Sequence, residues 1–225
     1  MMLVDLAHTV VVFDMDDTLY FEADYVDSGI HHVCTQINSF CGVNPFDAIQ
    51  ELRLRDAQTD WLALACELAS LKPSVKESLL WMYRLHSPAI SLSAGCVSAL
   101  MQIRSAALAC AVLTDGRAVT QRLKLAALGL ADLPTYISED YDSSKPAPDR
   151  FQAIQKDYPA EHYVYVADNV QKDFLGCNPL GWIGVGMRGN GRNIYSQSTQ
   201  GLPVAALPAF WVNSWEELTE ILLNP

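Results

Sequence analysis

Thr9-Val-Val-Val-Phe13 is an unbroken apolar, β-branched run that stops abruptly at Asp14-Met-Asp-Asp-Thr18. A short run without polar alternation suits a strand covered on both faces, as in a parallel sheet flanked by crossover helices. Similar strands are predicted at Cys110–Leu113, Thr135–Ile137, Tyr163–Val166, Trp182–Val185 and Phe210–Val212. Between them lie helical patterns at Gly95–Ala107, at Arg117–Leu128 with Gly129 as its C-terminal cap, and at Pro148–Lys156. Ser214 opens a last helix, with Glu217 at capping-box spacing. Strands alternating with helices predict an α/β fold with a doubly wound, Rossmann-like parallel sheet.

Residues 20–91 break the alternation. Helices are predicted at Tyr25–Phe40, ended by Cys41-Gly42, from Asn44-Pro45 through Arg55 with the proline at the first helical position, over Asp60–Leu68, and from Pro73 to Leu85. The expected organisation is an α/β core of residues 1–19 and 92–225 and an inserted helical cap domain of residues 20–91. Ligands bind at the carboxyl ends of the strands in open α/β sheets, and a cap belongs there. Met187–Leu207, rich in Gly, Asn, Ser and Gln, reads as a long loop with no assigned role.

Charge narrows the partners. A formal net charge of -11 and a pI near 4.7 argue against nucleic acid or an anionic membrane, both of which attract basic surfaces. Any site for an anion must therefore carry its own local positive charge. The six cysteines show neither CxxC pairing nor metal-ligand spacing, so structural zinc and a disulfide framework are not expected. No secretory signal or membrane-spanning stretch is read, which makes a cytoplasmic protein the default, as monomer or homodimer.

Four segments carry the chemistry. Asp14, Asp16 and Asp17 crowd the end of the first strand, and like charges so close call for a cation. Thr114-Asp115-Gly116 ends another strand with a hydroxyl and a glycine turn, a natural phosphate cradle. Lys145 sits in the stiff segment Ser-Ser-Lys-Pro-Ala-Pro148, where it can meet a phosphate oxygen as a point charge. Asp168 and Asp173 follow a further strand. Alone, the Asp14 cluster reads equally well as an ordinary turn, and the Thr114 turn and Lys145 read better as an ordinary turn and a surface lysine. Together the four segments supply carboxylates for a hard cation and a hydroxyl and amine for the anion it bridges, a set that suits Mg²⁺.

These four segments, in this order, resemble the motifs of the haloacid dehalogenase superfamily, specifically its phosphatases with a small α-helical cap. The resemblance implies that Asp14 is the nucleophile and a metal ligand. It implies that Asp16 is the general acid/base and lends the metal its backbone carbonyl. Thr114 and Lys145 are similar to the phosphate-orienting hydroxyl and amine, with Asp115 and Gly116 beside them. Asp168 resembles the metal ligand of the last motif, supported by Asp173. Ala167 stands where the family usually has Gly. The dehalogenase branch lacks an acid at the Asp16 position, so phosphate chemistry is favoured. The implied activity is Mg²⁺-dependent hydrolysis of a small phosphorylated metabolite, a sugar phosphate or nucleotide, through an aspartyl-phosphate.

Leaving-group contacts are less legible. Candidates are Glu22, Tyr25, His31, His32, Arg53, Arg55 and Arg84, each of which reads more readily as a solvated or packing residue, and Arg117, better placed because it follows the phosphate-cradling turn. A sugar-phosphate mutase on the same scaffold is the alternative enzyme. A phospho-acceptor signalling domain and a non-catalytic binding protein fit less well, because the chain is long and every catalytic position is filled.

Overall fold

The computed structural model describes residues 4–56 and 59–223. Its chain divides into two compact units, one running to Ala23 and resuming at Ser91, the other spanning Asp24–Ile90.

The first unit is built on six parallel strands: β1 (Thr9–Phe13), β2 (Ala109–Thr114), β3 (Thr135–Ile137), β4 (His162–Ala167), β5 (Ile183–Met187) and β6 (Phe210–Val212). Their order is β3-β2-β1-β4-β5-β6. The unbroken apolar run of β1 is fully buried, with Val10 against Ala109 on one side and Tyr163 on the other. Each of its valines stabilises the fold by about 1.5–3 kcal/mol relative to exposure. The strand order turns back between β1 and β4, and the crevice outside the carboxyl ends at such a reversal is where α/β sheets bind ligands.

The second unit is helical, with α1 (Glu22–Cys41, begun in the first unit), α2 (Phe46–Arg55), α3 (Trp61–Leu68) and α4 (Lys76–Arg84). Ile30, Val33, Ile37, Ile49, Leu62 and Leu79 close its own core. Asp60 caps α3 by accepting from the Ala63 N–H at 3.1 Å.

The helices of the first unit are α5 (Ala94–Ala106), α6 (Ala118–Ala127), α7 (Asp149–Asp157), α8 (Asp173–Cys177) and α9 (Trp215–Leu223). Phe151, Ile154, Phe174 and Cys177 of α7 and α8 pack with Val10, Val12, Leu113 and Tyr165 of the sheet. All six cysteines are free thiols, five of them buried. Among the described residues no helix is long and apolar enough to cross a membrane.

Four local expectations need correction. Trp182 precedes β5 instead of belonging to it: Gly181 turns the chain at φ 78°, and the indole stacks on Tyr163. Pro45 precedes α2, and the Asn44 side chain accepts from the Phe46 N–H. Pro73 opens a short 3-10 turn before α4. The capping box of α9 is displaced: Ser214 accepts from the Glu217 N–H, but Glu217 reaches past it to the N–H of Asn213.

Candidate active site

The in-register pairing of β1 with β4 delivers two carboxylates side by side at the sheet reversal. The Asp14 N–H continues the ladder to the Val166 carbonyl at 2.9 Å, and Asp168 follows β4 directly. Asp173 opens α8 and folds back, its carboxylate accepting from the Asn169 N–H at 2.7 Å. Carboxylate oxygens of Asp14, Asp168 and Asp173 thereby lie within 4.8 Å of one another, and all three residues are buried. Lys145, presented by the loop after β3, places its Nζ 2.7 Å from Asp14 Oδ1 and 2.7 Å from Asp173 Oδ1, and donates to Tyr165 Oη at 3.1 Å.

This cluster holds more negative than positive charge. Burial pushes the Asp14 carboxyl up to about 6 against the pull of Lys145. Burial, then the charges of Asp14 and Asp173, pushes Asp168 up to about 8. Burial works against the Lys145 ammonium, but Asp14 and Asp173 outweigh it and hold the lysine well above its usual range. Three buried oxygen donors against one amine are an incomplete balance, and a hard divalent cation fits the deficit and the donor type.

Asp16 faces a different set. Its carboxylate accepts from Lys124 Nζ at 2.7 Å, from Gln121 Nε2 at 3.0 Å and from the Tyr20 hydroxyl. Burial would raise it, yet Lys124, Tyr20 and Gln121 prevail and hold it below the ordinary carboxylate range. The same Gln121 amide lies 2.7 Å from Thr114 Oγ1, tying the first two motifs together. Gly116 turns the chain at φ 145°, and a Cβ there would meet the Gln121 side chain at 3.0 Å, so the turn requires glycine.

Thr114, Asp115 and Gly116 line a cavity of about 250 Å³ with Asp14, Asp16, Asp17, Glu22, Asp168, Asn169, Lys172 and Tyr195. The Asp115 carboxylate is committed to protein partners: Arg150, Lys172 Nζ at 3.4 Å and the Lys145 N–H at 3.2 Å. Arg150 is fully buried and also donates to the carbonyls of Thr114 at 2.8 Å and Tyr136 at 3.3 Å. It pins the ends of β2 and β3 while binding the residue that anchors the lysine loop. Arg150→Met strands these acceptors and is expected to cost about 3–5 kcal/mol, a drop of roughly 10 °C in melting temperature. Thermal unfolding checks this, and a change under about 2 °C would contradict it.

The Gly/Asn-rich segment after β5 reaches the site. Asn193 Nδ2 donates to Asp168 Oδ2 at 2.8 Å, Gln197 Nε2 to the Asp168 carbonyl at 3.0 Å, and the Ile194 N–H to Asp17 Oδ2 at 2.6 Å. Asp17 holds φ 57°, a region Asp tolerates better than most residues, and its other oxygen accepts from the Glu22 N–H. Sequence reasoning missed Lys124, Gln121, Arg150, Tyr165, Asn193 and Gln197. A signal existed for two of them: Ala118, Gln121, Lys124 and Leu125 share the buried face of α6, so a glutamine and a lysine interrupt an apolar stripe.

Of the remaining candidates, Glu22 lines the cavity. Arg117 is half-exposed and pairs with Glu139. Arg53 pairs with Asp27, Arg55 with Glu51, and Arg84 lies over the Trp81 ring. His31 packs on Phe46, His32 near His86, and Tyr25 on Tyr83. Ala167 is fully buried opposite Gly186, so the methyl group in place of a family glycine is absorbed by the sheet.

Comparison with known proteins agrees with this geometry. The family model described as haloacid dehalogenase-like hydrolase matches residues 8–181. A glyceraldehyde 3-phosphate phosphatase of Methanocaldococcus jannaschii is 24% identical, over 95% of this chain and 96% of its own. A HAD phosphatase from Thermococcus onnurineus superposes with a TM-score of 0.61 at 21% identity, covering 96% of this chain and 98% of its own. A 2-haloacid dehalogenase from Pseudomonas syringae does so with 0.62 at 19%, covering 95% and 97%. The fold is thus shared by structures bearing both names, and side chains must discriminate between the chemistries.

Proposed function

The chain belongs to the haloacid dehalogenase-like hydrolases, and from that premise we propose that it is a Mg²⁺-dependent phosphohydrolase of small phosphomonoesters, with Asp14 as nucleophile. The observation that carries this reading is the buried Asp14–Lys145–Asp173 ion pairing beside Asp168 at the sheet reversal. The kinship with a glyceraldehyde 3-phosphate phosphatase supports a phosphorylated sugar or triose over a nucleotide.

Asp14, Asp168 and Asp173 would hold the cation, which when bound neutralises phosphoryl oxygens that would otherwise repel a carboxylate nucleophile. Lys145 adds positive charge beside Asp14, and the Thr114 hydroxyl, buried next to Gln121, orients a phosphoryl oxygen. Asp14 attacks phosphorus in line and becomes the acyl phosphate. Asp16 supplies the proton to the departing alcohol oxygen, then takes one from the water that cleaves the acyl phosphate. The Lys124, Gln121 and Tyr20 contacts favour its ionised form, the base required in the second half of the cycle. For the first half Asp16 must therefore take up a proton from solvent before the alcohol departs. A second acid is present at Asp16, which favours phosphoryl transfer over carbon–halogen cleavage. The helical unit is assigned the role of a cap that selects the leaving group.

The test is phosphate release from an aryl phosphate with Mg²⁺ and with excess chelator. Release is expected to fall by about 10²-fold or more on chelation and to return with added Mg²⁺. Undiminished release in chelator would overturn the metal assignment, and no release from any phosphomonoester would overturn the hydrolase reading.

A further inference from the structure

Six carboxylates line the cavity, and the structure accounts for five. Asp14 faces Lys145, Asp16 faces Lys124, and Asp115 faces Arg150 and Lys172. Asp17 accepts two backbone N–H groups, and Asp168 accepts from Asn193 and belongs to the acidic cluster. The sixth is Glu22. Its N–H is bonded to Asp17, but among the described residues no hydrogen bond or ion pair reaches its side chain. Glu22 is partly buried and lines the cavity, so its carboxylate is open to a ligand that enters there.

Its neighbourhood indicates what kind. Burial, then the charge of Asp16, pushes Glu22 up to about 7; Asp17 adds to this, while Lys124 and Lys172 oppose it. Glu22 also lines the cavity with Asp16, the residue assigned to protonate the leaving oxygen, and its N–H is bonded to the adjacent Asp17. Atoms of the leaving group next to that oxygen would occupy the cavity that the Glu22 carboxylate lines.

Resting on the phosphohydrolase reading, we propose that Glu22 reads the leaving group by accepting a hydrogen bond from one of its hydroxyls, so that the site selects phosphomonoesters of short neutral polyols and rejects those bearing a second anion. A carboxylate or second phosphate on the leaving group would meet Glu22 and Asp16 together, and like charges brought together at a binding site are strongly disfavoured. Neutral hydroxyls avoid that repulsion, and a cavity of about 250 Å³ leaves room for a phosphoryl group and a short chain.

Glycerol 3-phosphate and 3-phosphoglycerate share a three-carbon skeleton and differ by a hydroxymethyl against a carboxylate, which makes them the probe pair. The wild-type protein is expected to favour glycerol 3-phosphate in kcat/KM by about 10²-fold. Glu22→Gln, which keeps an acceptor but removes the charge, is expected to shrink that preference at least about tenfold, by raising kcat/KM for 3-phosphoglycerate. Glu22→Ala is expected to weaken glycerol 3-phosphate about 30-fold, mostly in KM. The preference is a ratio within one protein sample, so a smaller folded fraction in either variant cancels. A preference unchanged in both variants while the wild type hydrolyses phosphomonoesters overturns the Glu22 assignment alone. A wild type that releases no phosphate from any of them overturns the phosphohydrolase reading and this inference with it.

Discussion

Asp14→Asn is expected to lose turnover by about 10⁴-fold or more while keeping its fold. The amide has the shape of the carboxylate it replaces, and its oxygen can still accept from Lys145, which lies 2.7 Å from Asp14 Oδ1. The backbone bond to Val166 is untouched. What disappears is the anionic oxygen able to form an acyl phosphate, and no other carboxylate in the cluster is offered as a nucleophile. Removing one of three crowded buried acids also relieves repulsion, so melting temperature should hold or rise. Single-turnover assays with folded variant give the measurement, and turnover at the wild-type rate would refute the nucleophile assignment.

Lys145→Met is the second large effect, and it acts on rate and stability together. Loss of a preorganised cation beside the reacting phosphoryl group is expected to lower kcat by about 10³-fold. The same change leaves Asp14 and Asp173 without their shared ammonium, and breaking a buried pair from one side costs about 3–5 kcal/mol. A divalent cation bound to those carboxylates would replace part of the missing charge, and binding to the native state raises its stability by mass action. The variant's melting temperature should therefore rise more steeply with Mg²⁺ than the wild type's. Calorimetry across a Mg²⁺ series decides it; equal slopes with unchanged kcat would show that Lys145 balances neither the fold nor the reaction.

The sheet was readable because its strands are apolar on both faces. Thr9–Phe13, Thr135–Ile137 and Phe210–Val212 appear where the unbroken runs place them. The residues forming the acidic cluster were readable for a related reason: a charged group directly after such a strand can go only to the sheet's carboxyl edge. The supporting residues were hidden because their partners are remote in sequence. Lys124 meets Asp16 across 108 positions and Asn193 meets Asp168 across 25, and no local pattern encodes either pairing. Met187–Leu207 stayed unassigned since Gly, Asn and Gln signal a loop and say nothing of where it goes. Arg150 was missed for its setting, a guanidinium wholly enclosed beside Phe151 and Ile154, where arginine is rarely found.

The order of the strands also bears on how the protein is made. β1 leaves the ribosome first, yet Val10 finds its neighbours in Ala109 and Tyr163, roughly 100 and 150 residues later. Closing such long intervals is slow, and sticky segments that wait in the open invite association with other chains. The helical unit, whose core runs only from Ile30 to Leu79, can finish while the first strand is still unpaired. Asp14, at the end of that strand, reaches its working position only once synthesis has passed Val166. Until β2 and β4 have been made, Thr9–Phe13 is therefore a segment open to association with other chains.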